Sequence, residues 1–335
     1  MPKDICNKSD LKDGFLRNIN YLRVSITDRC NLRCFYCMPE GGISQIECDN
    51  ILRYEEILRI IRISVKNGIN KIRITGGEPL IRKGVVDFIK DISNIDGVED
   101  LGLTTNGIML ESLAEELFNA GLKRINISID SLDPKTYKKI TRNDTLDKVL
   151  AGLKKAHEVG FAPIKINVVS IRGVNDSEVI EFAKLTEDYP FFVRFIEYMP
   201  IGNDNSWEKK LFISSEELIK RINEYKELLP LEVKEKSSPA VNYKLKGSKG
   251  QLGFISPISK HFCSVCNRLR LTADGKLRNC LFSENEIDLK DPLRADNSDE
   301  EISTIIRESI LKKPEGHEKV TTKGDKKRSM HSIGG

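Results

Sequence analysis

Three cysteines lie close together near the beginning of the chain. Cys30, Cys34 and Cys37 fall within the segment Asp28-Arg-Cys-Asn-Leu-Arg-Cys-Phe-Tyr-Cys-Met38, with three residues between the first pair and two between the second. Thiolates at this spacing can hold three corners of an iron–sulfur cube and leave its fourth iron without a protein ligand. Such an open metal position is where a substrate or cofactor binds. The alternative is a zinc site, which usually takes four ligands in paired Cys-x2-Cys halves, whereas this segment offers one half.

A second group of cysteines lies in the last third of the chain. Cys263 and Cys266 are separated by two residues, and Cys280 follows after thirteen more. The intervening sequence predicts strands over 268–272 and 276–279 that turn at an Asp-Gly pair, and this hairpin would return the third cysteine to the first two. Again there are three ligands without an obvious fourth. A zinc ribbon completed by His261 is the alternative.

Composition limits the classes of function. The chain has 335 residues and a net charge of +4, which suits an anionic small molecule. No basic block is interleaved with aromatic residues, so we expect no nucleic-acid partner. The sequence shows no apolar leader and no apolar run of membrane-spanning length, so we expect a cytoplasmic protein without a membrane partner. Eight cysteines without an export signal favour metal binding over disulfides, and we assign no role to Cys6 and Cys48.

From residue 21 onward, short β-branched runs alternate with segments of helical period. Glycines at 68, 121 and 160 follow three of the helical segments and supply their left-handed ends. This alternation predicts a parallel β/α architecture. The predicted strands are 22–26, 71–75, 100–105, 124–130, 164–169 and 192–198, and the predicted helices are 55–66, 85–92, 110–119, 146–158 and 177–187.

The predicted strands are polar on one face. Ile72 and Ile74 oppose Lys71, Arg73 and Thr75, and the same alternation occurs over 23–26, 124–130 and 164–168. A closed eight-stranded barrel fills its lumen with branched apolar side chains, whereas unpaired charges in a dry core would cost several kcal/mol. The pattern therefore predicts a partial (β/α)6 barrel, similar to a TIM barrel, whose polar lumen faces water or a charged ligand. An antiparallel sheet with one solvated face is the alternative, and the intervening helices disfavour it.

Polar residues also collect where the strands end, which is where barrel enzymes place their chemistry. The first strand leads into the cysteine loop, and the others end in the motifs Gly76-Gly77-Glu78-Pro79, Thr104-Thr105-Asn106-Gly107, Ser128-Ile-Asp130 and Glu197-Tyr-Met199-Pro200. We expect the reactive centre at this edge of the sheet.

The chain changes character after residue 200. Capping pairs at Ser214/Glu217 and Ser298/Glu301 predict helices that extend to Tyr225 and Lys312. Short apolar pieces within 230–260 predict a small antiparallel element. We therefore divide the chain into a barrel domain over 1–200 that begins with a polar arm, a C-terminal α+β domain over 201–312, and a mobile tail over 313–335 that ends in Gly-Gly.

The first cysteine loop, with Tyr36 just before its last cysteine, resembles the signature of radical S-adenosylmethionine (SAM) enzymes. The resemblance implies that SAM chelates the open iron of a [4Fe-4S] cluster, and that its reductive cleavage yields a 5′-deoxyadenosyl radical that abstracts hydrogen. It also implies a six-stranded partial barrel as the core fold.

Both cysteine groups, the Gly-Gly-Glu-Pro motif and the terminal Ile-Gly-Gly together resemble the GTP-cyclising family of molybdenum cofactor biosynthesis. The match runs from about residue 21 to 280 and resumes over 330–335. It implies two [4Fe-4S] clusters, SAM as cofactor, and conversion of GTP to (8S)-3′,8-cyclo-7,8-dihydroguanosine 5′-triphosphate. It assigns SAM binding to Tyr36, Gly77, Ser128 and Met199, GTP binding to Arg23, Arg73, Thr104, Lys165, Arg268, Leu269 and Arg270, and a catalytic role in the active site to Gly334 and Gly335.

This assignment carries expected partners and leaves two alternatives. We expect a low-potential electron donor of flavodoxin or ferredoxin type and a downstream cyclic pyranopterin monophosphate synthase. The sequence does not determine the oligomeric state, and a homodimer is compatible with it. A radical SAM enzyme that modifies peptides and a non-enzymatic iron–sulfur redox protein are the alternatives.

Overall fold

The computed structural model describes residues 11–39, 41–42, 45–201, 208–232, 237–317 and 328–334. Cys6 and Gly335 lie outside these residues. Within the described part of the chain, twelve strands form one sheet in the order β12-β11-β10-β1-β2-β3-β4-β5-β6-β9-β8-β7.

The predicted β/α repeat is confirmed. Each of its six strands lies within two residues of the predicted bounds, and consecutive strands pair in parallel. One helix of the repeat, α4, was not predicted. The strands are β1 (Tyr21–Ser25), β2 (Lys71–Thr75), β3 (Asp100–Thr105), β4 (Arg124–Ser128), β5 (Ile164–Ser170) and β6 (Phe192–Glu197), and the helices are α1 (Tyr54–Lys66), α2 (Val85–Ser93), α3 (Leu110–Asn119), α4 (Pro134–Thr141), α5 (Leu146–Val159) and α6 (Val179–Asp188).

The alternation of the strands separates a dry core from a polar lumen. The isoleucines and valines of one face, such as Ile72 and Ile166, are buried beneath the helices. On the other face, the register of β1 and β2 sets Arg23 beside Arg73. Because neighbouring strands lie about 5 Å apart, this register brings like charges close together.

The C-terminal part extends the same sheet at both edges. β10 pairs in parallel with β1, and β9 pairs in parallel with β6, so eight adjacent strands run in one direction. The predicted hairpin and the predicted antiparallel element are both present, as the β10–β11 and β8–β9 pairs. The division at residue 200 stays a prediction. The elements are β7 (Leu228–Pro230), β8 (Ala240–Leu245), β9 (Gln251–Ile255), β10 (Arg268–Leu271), β11 (Lys276–Arg278), β12 (Ile287–Asp288), α7 (Ser215–Tyr225), α8 (Lys290–Arg294) and α9 (Asp299–Leu311).

The N-terminal segment is tied to the opposite end of the chain. The buried Arg17 side chain donates from Nε to Asp13 at 2.6 Å. Its other nitrogens donate to the backbone carbonyls of Cys263 at 2.7 Å, Pro314 at 2.6 Å and Glu315 at 2.9 Å. One guanidinium therefore joins three segments that are distant in sequence.

The described parts of the predicted tail are packed against the fold. Lys313 is buried, and its ammonium donates to the carbonyl of Arg268 at 2.9 Å. Farther along, Arg328 forms an ion pair with Asp274 at 2.8 Å and contacts Glu286. Residues 313–317 and 328–334 thus differ from the mobile tail expected from composition, because buried cation contacts fix them.

Helix α9 docks on α1 and leads into Lys313. Its inward face buries Ile302, Ile306 and Ile310. At the same interface, Asn67 Nδ2 donates to Ser303 Oγ at 2.9 Å. The packing of α9 thereby fixes where the following segment meets the sheet.

Within the stretches that the structure describes, no helix combines the length and the apolar character needed to cross a membrane.

We expect Ile306→Ala to destabilise the protein by about 2–5 kcal/mol, because it leaves a cavity at a fully packed position. The matched control is Leu311→Ala on the same helix, where the side chain is 61% exposed against 1% for Ile306. Urea unfolding followed by circular dichroism measures both. Equal shifts of the two midpoints would contradict the burial of this face.

Candidate active site

A cavity of about 410 Å³ follows the polar face of the sheet, and both cysteine groups line it. Cys30, Cys34 and Cys37, the first trio, follow β1, whereas Cys263 and Cys266 precede its parallel neighbour β10. Cys280 completes the second trio after β11, which runs antiparallel to β10. The two trios therefore lie at opposite ends of the strands, about 16 Å apart along a five-residue strand.

The first trio lies in a loop, and its three thiols are free and partly buried. Burial raises the pKa of Cys30 to about 11, and the nearby Glu78 carboxylate adds to this effect. Burial, with Asp130 close by, also raises the pKa of Cys34 well above its usual value. Iron binding would replace the thiol protons, so the free thiols are a donor set that suits a cluster.

The unpredicted helix α4 supports this loop. Arg33 N donates to Thr141 O and Phe35 N donates to Ile140 O, both at 3.0 Å. Asn143 Nδ2 then donates to Asn31 O at 3.1 Å. The end of α4 therefore holds the backbone on either side of Cys34.

The Gly-Gly-Glu motif packs tightly beneath the cysteine loop. Gly77 N donates to Thr27 O at 2.6 Å, and a Cβ at Gly77 would lie 2.2 Å from Arg29 O. The Glu78 carboxylate accepts from Thr105 Oγ1 and from Asn106 N, both at 2.7 Å. Burial raises the pKa of Glu78 to about 7 despite these bonds.

The structure brings together the four residues that the resemblance assigned to SAM. Tyr36, Gly77, Ser128 and Met199 all line the cavity near the first trio. The Tyr36 hydroxyl donates to Asp130 Oδ2 at 2.5 Å, and burial raises the pKa of this carboxyl to about 6. The sequence analysis assigned no role to Asp130, although the strand-end motif contained it.

A wall of basic side chains lies between the trios. Burial, with Arg194 as the next cause, lowers the pKa of Lys165 to about 7. Burial likewise lowers the pKa of Arg23 to about 10 and that of Arg270 well below its usual value. The lowered pKa values mean that keeping these side chains charged costs free energy. A bound polyanion would offset this cost. The predicted residues of this wall are Arg23, Arg73, Lys165, Arg268 and Arg270.

Two other predicted positions differ in how they meet the cavity. Thr104 Oγ1 is buried beside it without a hydrogen-bond partner among the described residues, as expected of an atom that awaits a ligand. Leu269 points the other way, into the hydrophobic core, because it alternates with its two arginine neighbours on β10. Its side chain therefore cannot contact a ligand in the cavity, and only its backbone can.

The sequence analysis assigned no ligand-binding role to several charged groups of the wall. Arg194 on β6 donates to Asn167 Oδ1 at 3.0 Å, and burial lowers the pKa of Arg194 to about 9. Arg124 and Asp100 form an ion pair at 2.8 Å. The period-two alternation that identified Lys165 also applies to Arg194 and could have identified it.

The second trio has a positive environment. Burial acts to raise the pKa of the Cys266 thiol, but Lys313 and Arg268 outweigh it and lower that pKa. Among the described residues, no three Cys, His, Asp or Glu side chains converge as a single metal ion requires. His261, the candidate zinc ligand, has its Nδ1 at 2.7 Å from Pro257 O.

The last described residues of the chain lie at the first trio and the basic wall. Gly334 O accepts from Arg270 at 2.7 Å and from Arg23 at 3.2 Å. Gly334 has a left-handed φ of +68°, and a Cβ there would lie 3.0 Å from Thr75 Cγ2. His331 Nδ1 lies 3.4 Å from Cys37 O. The predicted position of Gly334 in the site agrees with these contacts, while Gly335 lies outside the described residues.

We expect Gly77→Ala to reduce iron and sulfide binding at the first trio severalfold after anaerobic reconstitution, because its Cβ would displace the loop at Arg29. The matched control is Gly41→Ala, since apart from its chain neighbours no atom of the described residues lies within 4 Å of the Cβ it adds. Replacing the second trio by alanine in both variants restricts the metal count to the first. Equal iron contents in the two variants would contradict this tight packing.

Comparison with known families agrees with this geometry. The model described as the radical SAM superfamily matches residues 24–186, and the model described as Molybdenum Cofactor Synthesis C matches residues 191–319. Membership in the radical SAM superfamily implies a [4Fe-4S] cluster and SAM. The SuiB protein of Streptococcus suis, solved with bound SAM, aligns with a TM-score of 0.59 over 89% of this chain and 72% of its own. At 17% identity, this likeness shows the fold alone.

Full-length relatives are more informative. A GTP 3′,8-cyclase from Thermodesulfovibrio yellowstonii is 52% identical over 327 residues, which cover 97% of this chain and 100% of the relative. A GTP 3′,8-cyclase from Alkaliphilus oremlandii is 52% identical over 326 residues, again covering 97% of this chain and 100% of the relative. The chain therefore belongs to the GTP 3′,8-cyclase family of radical SAM enzymes.

Proposed function

We propose that this protein converts GTP to (8S)-3′,8-cyclo-7,8-dihydroguanosine 5′-triphosphate, the first step of molybdenum cofactor biosynthesis. In this proposal the first trio holds the [4Fe-4S] cluster that binds SAM, and the second trio holds a further [4Fe-4S] cluster that meets the guanine. The observation that carries the proposal is one cavity lined by both trios with a basic wall between them.

The basic wall would bind the triphosphate. Arginine forks suit phosphate oxygens in bidentate geometry, and Lys165 adds a point charge. Arg23 and Arg73 are neighbours in register, as are Arg23 and Arg270, so adjacent phosphates can meet adjacent cations. Thr104 Oγ1 would contribute a hydrogen bond to the ribose or the triphosphate.

The first trio and its neighbours would hold and orient SAM. Cys30, Cys34 and Cys37 would hold the [4Fe-4S] cluster, which when reduced would supply the electron for reductive cleavage of SAM. Loss of the ribose 3′ hydrogen and bonding of that carbon to C8 of guanine would then require one further electron, from the proposed electron donor, and one proton to give the product. Gly77 offers backbone without a side chain, as close approach to a ligand requires. Ser128 and Met199 line the same end of the cavity, and the Tyr36–Asp130 pair closes it.

The chain's end would complete the site. Gly334 O already contacts Arg23 and Arg270, two of the cations proposed for GTP. A side chain at Gly334 would meet Thr75 and Ser25, so only glycine fits so deep between β1 and β2. We propose that Gly334 and Gly335 fix these cations and exclude water during cyclisation.

Other parts of the proposal concern the chain's surroundings. We propose a low-potential flavodoxin or ferredoxin as electron donor, and a cyclic pyranopterin monophosphate synthase as the enzyme that takes the product. Thiolate clusters need a reducing compartment, so we propose a cytoplasmic location. A homodimer is compatible with this function but not required by it. We also retain 1–200, 201–312 and 313–335 as the functional divisions of the chain.

We expect 5′-deoxyadenosine to form under anaerobic conditions with SAM and dithionite only when GTP, among the nucleoside triphosphates, is added. Cys34→Ser should abolish SAM cleavage, because the first cluster loses a ligand. Cys266→Ser should retain uncoupled SAM cleavage while cyclised product disappears. Chromatography of the nucleoside products measures both. SAM cleavage that requires a peptide instead of GTP, or product formation by Cys266→Ser, would overturn the proposal.

We expect the affinity for GTP to weaken by about tenfold per pH unit as the pH rises above about 7.5, because binding of the anion raises the pKa of Lys165. The pKa of Lys165 is about 7 in the free protein, so binding the anion takes up a proton above that pH. The contribution of the Lys165 charge to the affinity for GTP is complete below the pKa of Lys165 in the free protein. It is lost as the pH rises to the pKa of Lys165 in the complex. Phosphate groups are already ionised there, since their last pKa is about 6.

The matched variant for this pH effect is Lys165→Arg, whose guanidinium stays charged throughout the range. Calorimetric titration of the holoenzyme with GTP, in buffers of different ionisation enthalpy, measures both the affinity and the proton uptake. The variant should keep its affinity and lose the proton uptake. A pH slope of the same size in both proteins would show that another group is responsible.

A further inference from the structure

His317 touches the second trio but belongs to none of the groups assigned above. Its Nδ1 lies 3.2 Å from Cys263 Sγ, within hydrogen-bonding distance for a sulfur acceptor. The residue also lines the cavity. The sequence analysis placed it in a mobile tail, so nothing in the motifs pointed to this contact.

The ring of His317 is held in a built position. It stacks on Phe282 with centroids 4.4 Å apart and an interplanar angle of 18°. The His317 ring also meets the His261 ring edge-on, with centroids 4.2 Å apart and an interplanar angle of 87°. His261 Nδ1 is itself 2.7 Å from Pro257 O, so this contact also holds the His261 side of the arrangement.

The backbone that carries His317 is fixed as well. Arg17 donates to the carbonyls of Pro314 and Glu315 and, from the same guanidinium, to that of Cys263. Lys313, which comes just before Pro314, donates from its ammonium to Arg268 O beside the same trio. These bonds bring the 313–317 segment and the cysteine together as one unit.

We infer that His317 donates an N–H···S hydrogen bond to the Cys263 thiolate and thereby raises the reduction potential of the second cluster. The inference rests on the proposed function, since it requires a cluster at the second trio. A metal-bound thiolate is an acceptor only, so the proton resides on Nδ1. Hydrogen bonds to cluster sulfurs stabilise the reduced, more negative form. His317 is thus a positioning and tuning residue and not a ligand.

Two substitutions separate the hydrogen bond from the ring. His317→Phe keeps the stack on Phe282 but removes the donor, whereas His317→Asn keeps a donor near the position of Nδ1 but removes the ring. His261→Phe is the control, because it keeps a ring against His317 and removes a nitrogen that contacts a carbonyl instead of a thiolate. All three are made in full-length protein whose first trio is replaced by alanine, so that only the second cluster is observed.

An EPR redox titration measures the midpoint potential. We expect His317→Phe to lower the reduced-to-oxidised ratio at a fixed applied potential about tenfold, which corresponds to about 59 mV for one electron. His317→Asn and His261→Phe should stay near the parent value. An unchanged potential in His317→Phe, or an equal fall in His317→Asn, would overturn the inference.

The failure of this inference is distinct from failure of the proposed function. A parent protein that binds no iron and sulfide at the second trio would refute the proposed cluster. If His317→Phe alone fails to load a cluster while His317→Asn loads, the donor is required and the inference stands. If neither loads, pulsed EPR of the parent with ¹⁵N-histidine decides: a weak coupling retained in His261→Phe supports the hydrogen bond, whereas a strong coupling or none overturns it.

Discussion

The crowding of positive charge along one face of the sheet is the constraint on which the rest of the structure depends. Parallel strands in fixed register set Arg23 beside both Arg73 and Arg270, and Lys165 and Arg194 face the same cavity. Burial lowers the pKa values of Lys165 and Arg194, to about 7 and about 9, so the protein alone holds these positive charges unfavourably. A highly charged anion relieves this repulsion, which explains why so many cations are kept in one place.

The same cavity has two ends of opposite electrostatic character. The first trio lies next to Glu78 and Asp130, and burial together with these carboxylates raises the pKa values of Cys30 and Cys34. At the second trio, Lys313 and Arg268 lower the pKa of Cys266. Negative surroundings favour loss of an electron and positive surroundings favour its retention, so equivalent clusters at these two positions would differ in potential. The two cysteine trios therefore lie in surroundings of opposite charge, negative at the first and positive at the second.

Local patterns predicted the barrel strands, the polar lumen and the hairpin of the second trio, because each depends on neighbours in sequence. The pairing of β10 with β1 joins residues 247 apart in sequence, and that of β9 with β6 joins residues 59 apart, and periodicity encodes neither contact. Helix α4 was missed because its eight residues carry few apolar positions. The contacts of Arg17 and His317 were not predicted, because they too join residues distant in sequence. Leu269 was assigned to the ligand from the motif, although its place in the alternation of β10 turns its side chain into the core.

The guanidinium of Arg17 has a consequence for how the enzyme matures. It ties residue 17, the loop of Cys263 and residues 314–315 into one arrangement, and the last described residues then reach β1 and β10. These bonds cannot all form until residues 314 and 315 have been synthesised and have left the ribosome. The surroundings of both cysteine trios are therefore completed late in synthesis, and a trio that bound iron earlier would do so without the contacts of Arg17 and Gly334.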